Sequence, residues 1–170
     1  MVQETEERLA ERCPAVIREA RRLDLPRLVD LWTQMMDLHV ALDPRFRLAP
    51  DSWEQYRRHL KRAITDRRMC VCVAEMNKQV VGYVLAYEAA RPPVYPAGRY
   101  GFISDLFVLE PYRGQGIGRA LVRRALLWLR TIGVTSVELL ASEHNEHAQR
   151  FWEAVGFRRF LRMYRLDMLP

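Results

Sequence analysis

The stretch richest in chemistry is Leu109-Glu-Pro-Tyr-Arg-Gly-Gln-Gly-Ile-Gly-Arg-Ala-Leu121. Glycines alternate at 114, 116 and 118, after an apolar run that reads as a strand and before a pattern that reads as a helix. Without a Cβ the backbone there can come within hydrogen-bonding distance of a ligand. The first N–H groups of the following helix lack partners inside it, and the helix dipole favours negative charge. Arg113 and Arg119 flank the turn, so the segment suits an oxyanion or a pyrophosphate. Two phosphate cradles are excluded by spacing: no Gly-Lys-Ser/Thr follows, and G-x-G-x-G is not the G-x-G-x-x-G of a dinucleotide site. A strand-to-helix turn that merely happens to be glycine-rich is the alternative on this segment alone.

The charge pattern agrees with an anionic ligand. The chain has 170 residues and a formal net charge of +6, and only Lys61 and Lys78 among its 27 basic residues are lysine. Residues 1–110 carry 17 basic and 16 acidic groups, whereas residues 111–170 carry 10 and 5. The excess therefore sits with the glycine turn and points to an anion at one end. Composition alone does not choose between nucleic acid and a phosphate-bearing cofactor. Four Trp, seven Tyr and six Phe exclude a disordered chain. No apolar run approaches the roughly 20 residues of a membrane span, and Glu4, Glu6 and Glu7 make a poor signal sequence, so a soluble cytoplasmic domain is expected. Cys70 and Cys72 would share a strand face, where they cannot easily bridge; packing explains them better than a metal site.

Patterning supplies the elements that must hold this turn. Pro14 to Arg22 reads as a first strand after a flexible tail at 1–13. Asp24 is placed to cap a helix whose Leu25, Leu28, Val29, Trp32, Met35, Met36 and Val40 recur at three and four. A loop at 43–50 precedes a second helix, capped by Asp51 or Ser52 and running to about Asp66 with Trp53, Tyr56, Leu60 and Ile64 on one face. The period then changes: 69–76 and 79–90 predict a hairpin turning at Asn77-Lys78, and 100–109 a further strand. A helix from Gly116 to Ile132 capped by Gly133, a strand over 134–141, a helix over 145–155 and a final strand through about Asp167 complete one α+β domain over 14–170.

With these residues in place the chain resembles the GNAT superfamily of acyl-CoA-dependent N-acetyltransferases. The family's Arg/Gln-x-x-Gly-x-Gly/Ala loop is met by Arg113-Gly114-Gln115-Gly116-Ile117-Gly118. A second family segment, Asn-x-x-Ala-x-x-Phe-Tyr-x-x-x-Gly-Phe, is similar to Asn145 through Phe157. The resemblance implies a single domain, a mixed sheet flanked by helices and splayed between the strands at 100–109 and 134–142. Pantetheine would lie in that cleft, paired like an added strand with the backbone of Leu106, Phe107 and Val108. The amides from Arg113 to Arg119 would hold the pyrophosphate, Asn145 would bond the pantetheine arm, and Phe151 and Trp152 would line the cleft near the sulfur.

The implied reaction is direct attack of a neutral amine on acetyl-CoA in a ternary complex, without a metal. It needs proton removal from the ammonium, stabilisation of the oxyanion and protonation of the thiolate. Asp105 leads for the first, with Glu88 and Glu143 as further candidates; a structural or ammonium-anchoring carboxylate is the other reading of Asp105. A backbone N–H within Leu106–Val108 serves the second. For the third, many family members place Tyr where this chain has Trp152, whose indole N–H is not an acid. Tyr164, Tyr83 or water then replaces it, or the thiolate leaves as the anion. The acceptor is an amine on a small molecule or a peptide N-terminus, in a pocket expected from the end of the first helix, the loops 43–50 and 91–99 and the start of the second helix. Nucleic acid and membrane partners are not expected, and a homodimer is left open. An acyl-CoA-binding regulatory module with little turnover is the competing function. His144 and His147 lack a third ligand and read as a solvated helix start.

Overall fold

A computed structural model describes residues 13–94 and 98–168 of the chain. The elements are β1 (Val16–Glu19), α1 (Leu25–Leu42), α2 (Ser52–Ala63), β2 (Met69–Met76), β3 (Gln79–Ala90), β4 (Arg99–Val108), α3 (Ile117–Thr131), β5 (Val137–Leu139) and α4 (Glu146–Ala154). The expected tail lies outside the described residues except for Cys13, as does Tyr95 of the 91–99 loop. The strands form one sheet in the order β1-β2-β3-β4-β5, antiparallel up to β4, with β5 parallel to β4. This is the expected α+β fold with a mixed sheet.

Both faces of the sheet are covered. On one side α1 and α2 bury Leu28, Leu31, Leu60, Tyr83, Leu85 and Phe107; on the other α3 buries Leu121, Val122 and Ala125 against Cys72, Val84 and Ile103. Fully burying such an aliphatic side chain contributes about 1.5–3 kcal/mol. The β2–β3 hairpin turns where expected, with positive φ at Asn77 (51°) and Lys78 (62°) giving the twist that matches the strands. Asp24 differs from its expected role. It precedes α1 but does not cap it; its carboxylate accepts both terminal nitrogens of Arg18 at 2.8 Å and the Arg21 N–H at 2.7 Å.

The decisive irregularity lies in β4. Leu85 pairs with Asp105 but Ala86 pairs with Ile103, so Ser104 is an extra residue without a partner on β3. Such a bulge reverses the inward and outward sense of the strand beyond it. Before it, Gly101 and Ile103 face α3; after it, Leu106 and Val108 face α3, while Asp105 and Phe107 turn toward α1 and α2. The sheet also opens here. Pairing of β4 with β5 runs only from Gly101↔Val137 to Ile103↔Leu139, so β5 is shorter than the expected 134–141 and Ser104–Val108 have no β5 neighbour.

The expected final strand is absent: residues 157–168 form no regular element, and Phe160, Leu161, Met163, Tyr164, Leu166 and Met168 are 72–84% exposed. The doublets Arg158-Arg159 and Phe160-Leu161 break the alternation, so neither face offers the continuous apolar stripe that fixes a strand's register. Arg159 and Arg162 instead pair with Glu153 and Glu143.

Gly82 on β3 holds the far end of β4 close: a Cβ there would stand 2.7 Å from the Phe107 carbonyl oxygen. Gly82→Ala should cost about 1–3 kcal/mol, since main chain rather than a flexible side chain must move. Thermal unfolding should show Tm falling by about 2–4 °C per kcal/mol.

Candidate functional site

Three features converge on β4. The first is the glycine turn. Gly114 and Gly116 have φ of 75° and 78°, left-handed values that a side chain would strain. Gly118 has a different reason: its Cβ would meet the Phe151 ring at 3.2 Å, so it lets α4 pack on the start of α3. Gln115 lies in the turn and donates to the Pro111 carbonyl, while Ile117, the first residue of α3, is buried and anchors the helix in the core. No acidic residue occupies the first turn of α3, which carries Arg119. Arg113 folds back, its Nε donating to the Val108 carbonyl at 2.8 Å and its guanidinium lying 5.6 Å from the Phe107 ring. These residues fit an anionic group at the α3 N-terminus.

The second feature is the β4 edge over Ser104–Val108, which lacks a strand neighbour on the β5 side and contains Leu106, Phe107 and Val108. Helix α4 follows β5 and packs on the start of α3 through Phe151. Asn145 caps it by accepting the Ala148 N–H at 3.0 Å. Phe151, Trp152 and Phe157 pack edge to face, with ring centroids 5.1 and 5.3 Å apart.

The third is a cavity of about 570 Å³ on the α1–α2 side, lined by Tyr56 and His59 of α2, Asp66, Arg68, Met69, Tyr87, Glu88 and the bulge pair Ser104 and Asp105. Of the segments expected to build the acceptor pocket only α2 contributes, through Tyr56 and His59 beyond its first turn; α1, the described residues of the 91–99 loop and the loop 43–50 supply none of the lining. That loop does other work. Arg45 holds the Asp43 carboxyl down to about 2, and His144 lies 3.5 Å from Arg45, tying the end of α1 to the segment after β5.

Asp105 is 8% exposed. Its Oδ2 accepts the Ser104 hydroxyl at 2.6 Å and its Oδ1 the Tyr83 hydroxyl at 3.4 Å, while Tyr83 meets the Tyr56 hydroxyl at 3.3 Å. Tyr56 is fixed by stacking on Trp32 at 4.1 Å. Burial pushes the Asp105 carboxyl above the usual carboxylate range, opposed by those hydroxyls and by His59. Burial and the Asp105 charge push both tyrosines up, so they remain protonated donors. Glu88 lines the same cavity but pairs with Arg99 at 2.6 Å. Glu143 lies outside it, exposed and 3.7 Å from Arg162, and Tyr164 is exposed on the C-terminal segment. The structure thus brings Asp105 and Glu88 together and leaves Glu143 apart. Ser104, His59 and Tyr87 escaped the sequence reading, although the polar doublet Ser104-Asp105 inside an apolar strand is the mark of a bulge.

A mixed sheet that parts beyond Ile103↔Leu139, with a glycine turn leading into α3 at the end of β4, matches the architecture of acyl-CoA-dependent acyltransferases that the resemblance implies. The chain belongs to the acetyltransferase (GNAT) family, whose model matches residues 28–157. It is similar to rat N-acetyltransferase 8F1, at 39% identity over 97 residues, which make up 54% of this chain and 42% of that protein. It is also similar to fission yeast N-alpha-acetyltransferase 30, at 37% over 65 residues, 38% of this chain and 43% of that one. The chain thus spans less than half the length of either relative. A tetramutant of the BH1408 protein of Bacillus halodurans superposes with a TM-score of 0.79 at 25% identity, covering 90% of this chain and 99% of that one. A predicted acetyltransferase with acetyl-CoA from Clostridium acetobutylicum superposes with a TM-score of 0.75 at 20% identity, covering 90% and 96%.

A carboxyl raised by burial costs stability once it ionises. With the folded value above the unfolded one, the folded chain binds more protons between the two, and stability falls as pH rises through that window. Asp105→Asn removes the loss. Its Tm advantage over wild type should be small near pH 4, about the unfolded carboxyl value, and should grow toward neutrality in thermal unfolding at both pH values. An advantage independent of pH would show that the carboxylate carries no burial penalty.

Proposed function

We propose that the chain is an N-acetyltransferase that moves the acetyl group of acetyl-CoA to a primary amine. The observation that carries this is the parting of β4 from β5 after Ile103↔Leu139, which opens a backbone edge between the glycine turn and the cavity holding Asp105. When bound, acetyl-CoA supplies the thioester carbonyl that the amine attacks. The Arg113 N–H is taken by the Glu110 carbonyl at 3.1 Å, so of the expected 113–119 amides those from Gly114 to Arg119, backed by the α3 dipole, would hold the pyrophosphate, and Leu106–Val108 would pair with pantetheine as an added strand. A backbone N–H of that stretch receives the carbonyl oxygen as charge develops on it. Asn145 commits its carbonyl oxygen to the α4 cap, so its amide nitrogen is the atom that donates to the pantetheine arm. Asp105 is the base: its raised carboxyl lies nearer the working pH, where base catalysis is most effective.

The acceptor is an amine on a small molecule or a peptide N-terminus, as the name of the yeast relative suggests. Three free cysteines suit a reducing compartment such as the cytoplasm. The competing reading, a module that binds acyl-CoA with little turnover, is favoured by Trp152, which offers only an indole N–H between Phe151 and Phe157.

Thiol release from acetyl-CoA with a panel of amines separates the two: tight binding without release across the panel supports the module. Gly116→Glu should reduce acetyl-CoA affinity by more than about 100-fold, because a carboxylate replaces space meant for a phosphate and the backbone is strained at φ 78°. Calorimetry checks it, and unchanged affinity removes the turn as the pyrophosphate site. Asp105→Asn should lower kcat by about 10²-fold or more with acetyl-CoA affinity unchanged; equal losses in both would make Asp105 structural.

A further inference from the structure

We propose that the Ser104 hydroxyl is the conduit through which the acceptor ammonium gives its proton to Asp105, an inference that rests on the transferase reading above. Asp105 is 8% exposed, whereas Ser104 is exposed on the bulge beside it, and both line the cavity. The Ser104 Oγ lies 2.6 Å from Oδ2 and 3.4 Å from the Leu85 carbonyl oxygen, so its one proton goes to the nearer, charged acceptor and its lone pairs remain for a second partner. The other oxygen, Oδ1, faces Tyr83, which is fully buried and bonded onward to Tyr56. That branch leads into the core.

The remaining charges of the cavity sharpen the assignment. Glu88 is matched by Arg99 at 2.6 Å and Asp66 by Arg68 at 3.6 Å. Asp105 is the cavity carboxylate whose described hydrogen-bond donors are neutral hydroxyls, and the groups facing it are Tyr56 and His59 from α2, Tyr83 from β3 and Ser104 from its own strand. A cationic amine entering the cavity meets the Ser104 oxygen first and the charge behind it second. The bulge serves this arrangement: an extra residue in β4 puts two successive side chains, Ser104 and Asp105, on one cavity, which regular alternation forbids.

The proton balance follows. An ammonium N–H proton moves to the Ser104 oxygen as the Ser104 proton moves to Oδ2, leaving a neutral amine and a protonated Asp105. The nitrogen lone pair then forms the C–N bond and the C–S bond breaks, its electron pair leaving on sulfur. Of the three ammonium protons one stays on the amide, one has passed to Asp105 and from there returns to solvent, and one reaches the sulfur through water.

The test uses Ser104→Ala and Ser104→Thr in the full chain, with thiol release measured against tyramine, spermidine and a tripeptide with a free N-terminus. Ser104→Ala should lower kcat by about 10²-fold with the KM for acetyl-CoA unchanged, and Ser104→Thr, which keeps the hydroxyl, should recover most of it. Ser104→Ala also removes a donor to the charged carboxylate, so the acidic limb of the pH–rate profile should move to higher pH; Ser104→Thr should leave it in place. A wild-type rate with an unmoved acidic limb in Ser104→Ala overturns the relay while leaving the transferase reading intact. Absence of thiol release by the wild-type chain with every amine overturns the transferase reading, and the relay with it.

Discussion

The structure turns on one inserted residue. Ser104 has no partner on β3, and its presence reverses which side of the sheet each later residue of β4 faces. Were Ser104 paired regularly instead of bulged, Asp105 would share the α3 side with Ile103, in the core, a place where a carboxylate has no partner. With the bulge, Asp105 faces α2 and the cavity, Phe107 completes the core under α1, and Leu106 and Val108 take over the α3 side. At the same point β4 leaves β5. Placement of the polar pair and opening of the sheet therefore coincide at one point of β4, between the glycine turn and the cavity.

Electrostatics divides along the same strand. At its C-terminal end, positive-φ glycines and the start of α3 present N–H groups with no acidic residue in the first turn, an environment that fits an anion. In its middle stands a buried carboxylate held by hydroxyls, an environment hospitable to a cation once the pocket is occupied. The net charge of +6 describes neither. Arginines of the last third that suggested an anion site in composition are in part structural: Arg113 ties to the Val108 carbonyl, Arg124 to Glu19, and Arg159 and Arg162 to nearby glutamates. The backbone of the turn, more than the arginine count, carries the proposal of a phosphate site.

The parts of the fold legible in the sequence were those whose causes are local. The Asn77-Lys78 turn, the Gly133 cap and the apolar spacing of α1 depend on residues within one or two turns of each other, and they stand where the pattern puts them. The last strand failed for an equally physical reason: period-2 residues without one continuous apolar face give the sheet nothing to bury. Asp24 shows a third case. A capping residue type stood at the right position, yet Arg18, six residues upstream on β1, took its carboxylate once the chain turned back between β1 and α1.

For function the division is similar. The sequence by itself determined the glycine turn, because left-handed glycines before a helix need no distant partner to define them, and it pointed to the family through two motifs in correct order. Only the tertiary structure decided which carboxylate shares a cavity with which side chains, since the sequence ranks Asp105 ahead of Glu88 and Glu143 but does not state which of them line one pocket. It also decided why Gly118 is small, through the Phe151 ring from α4. Above all it decided the sense of β4 beyond Ile103, because a bulge is a property of pairing between two strands, and the run from Tyr100 to Leu109 does not by itself state its register against β3.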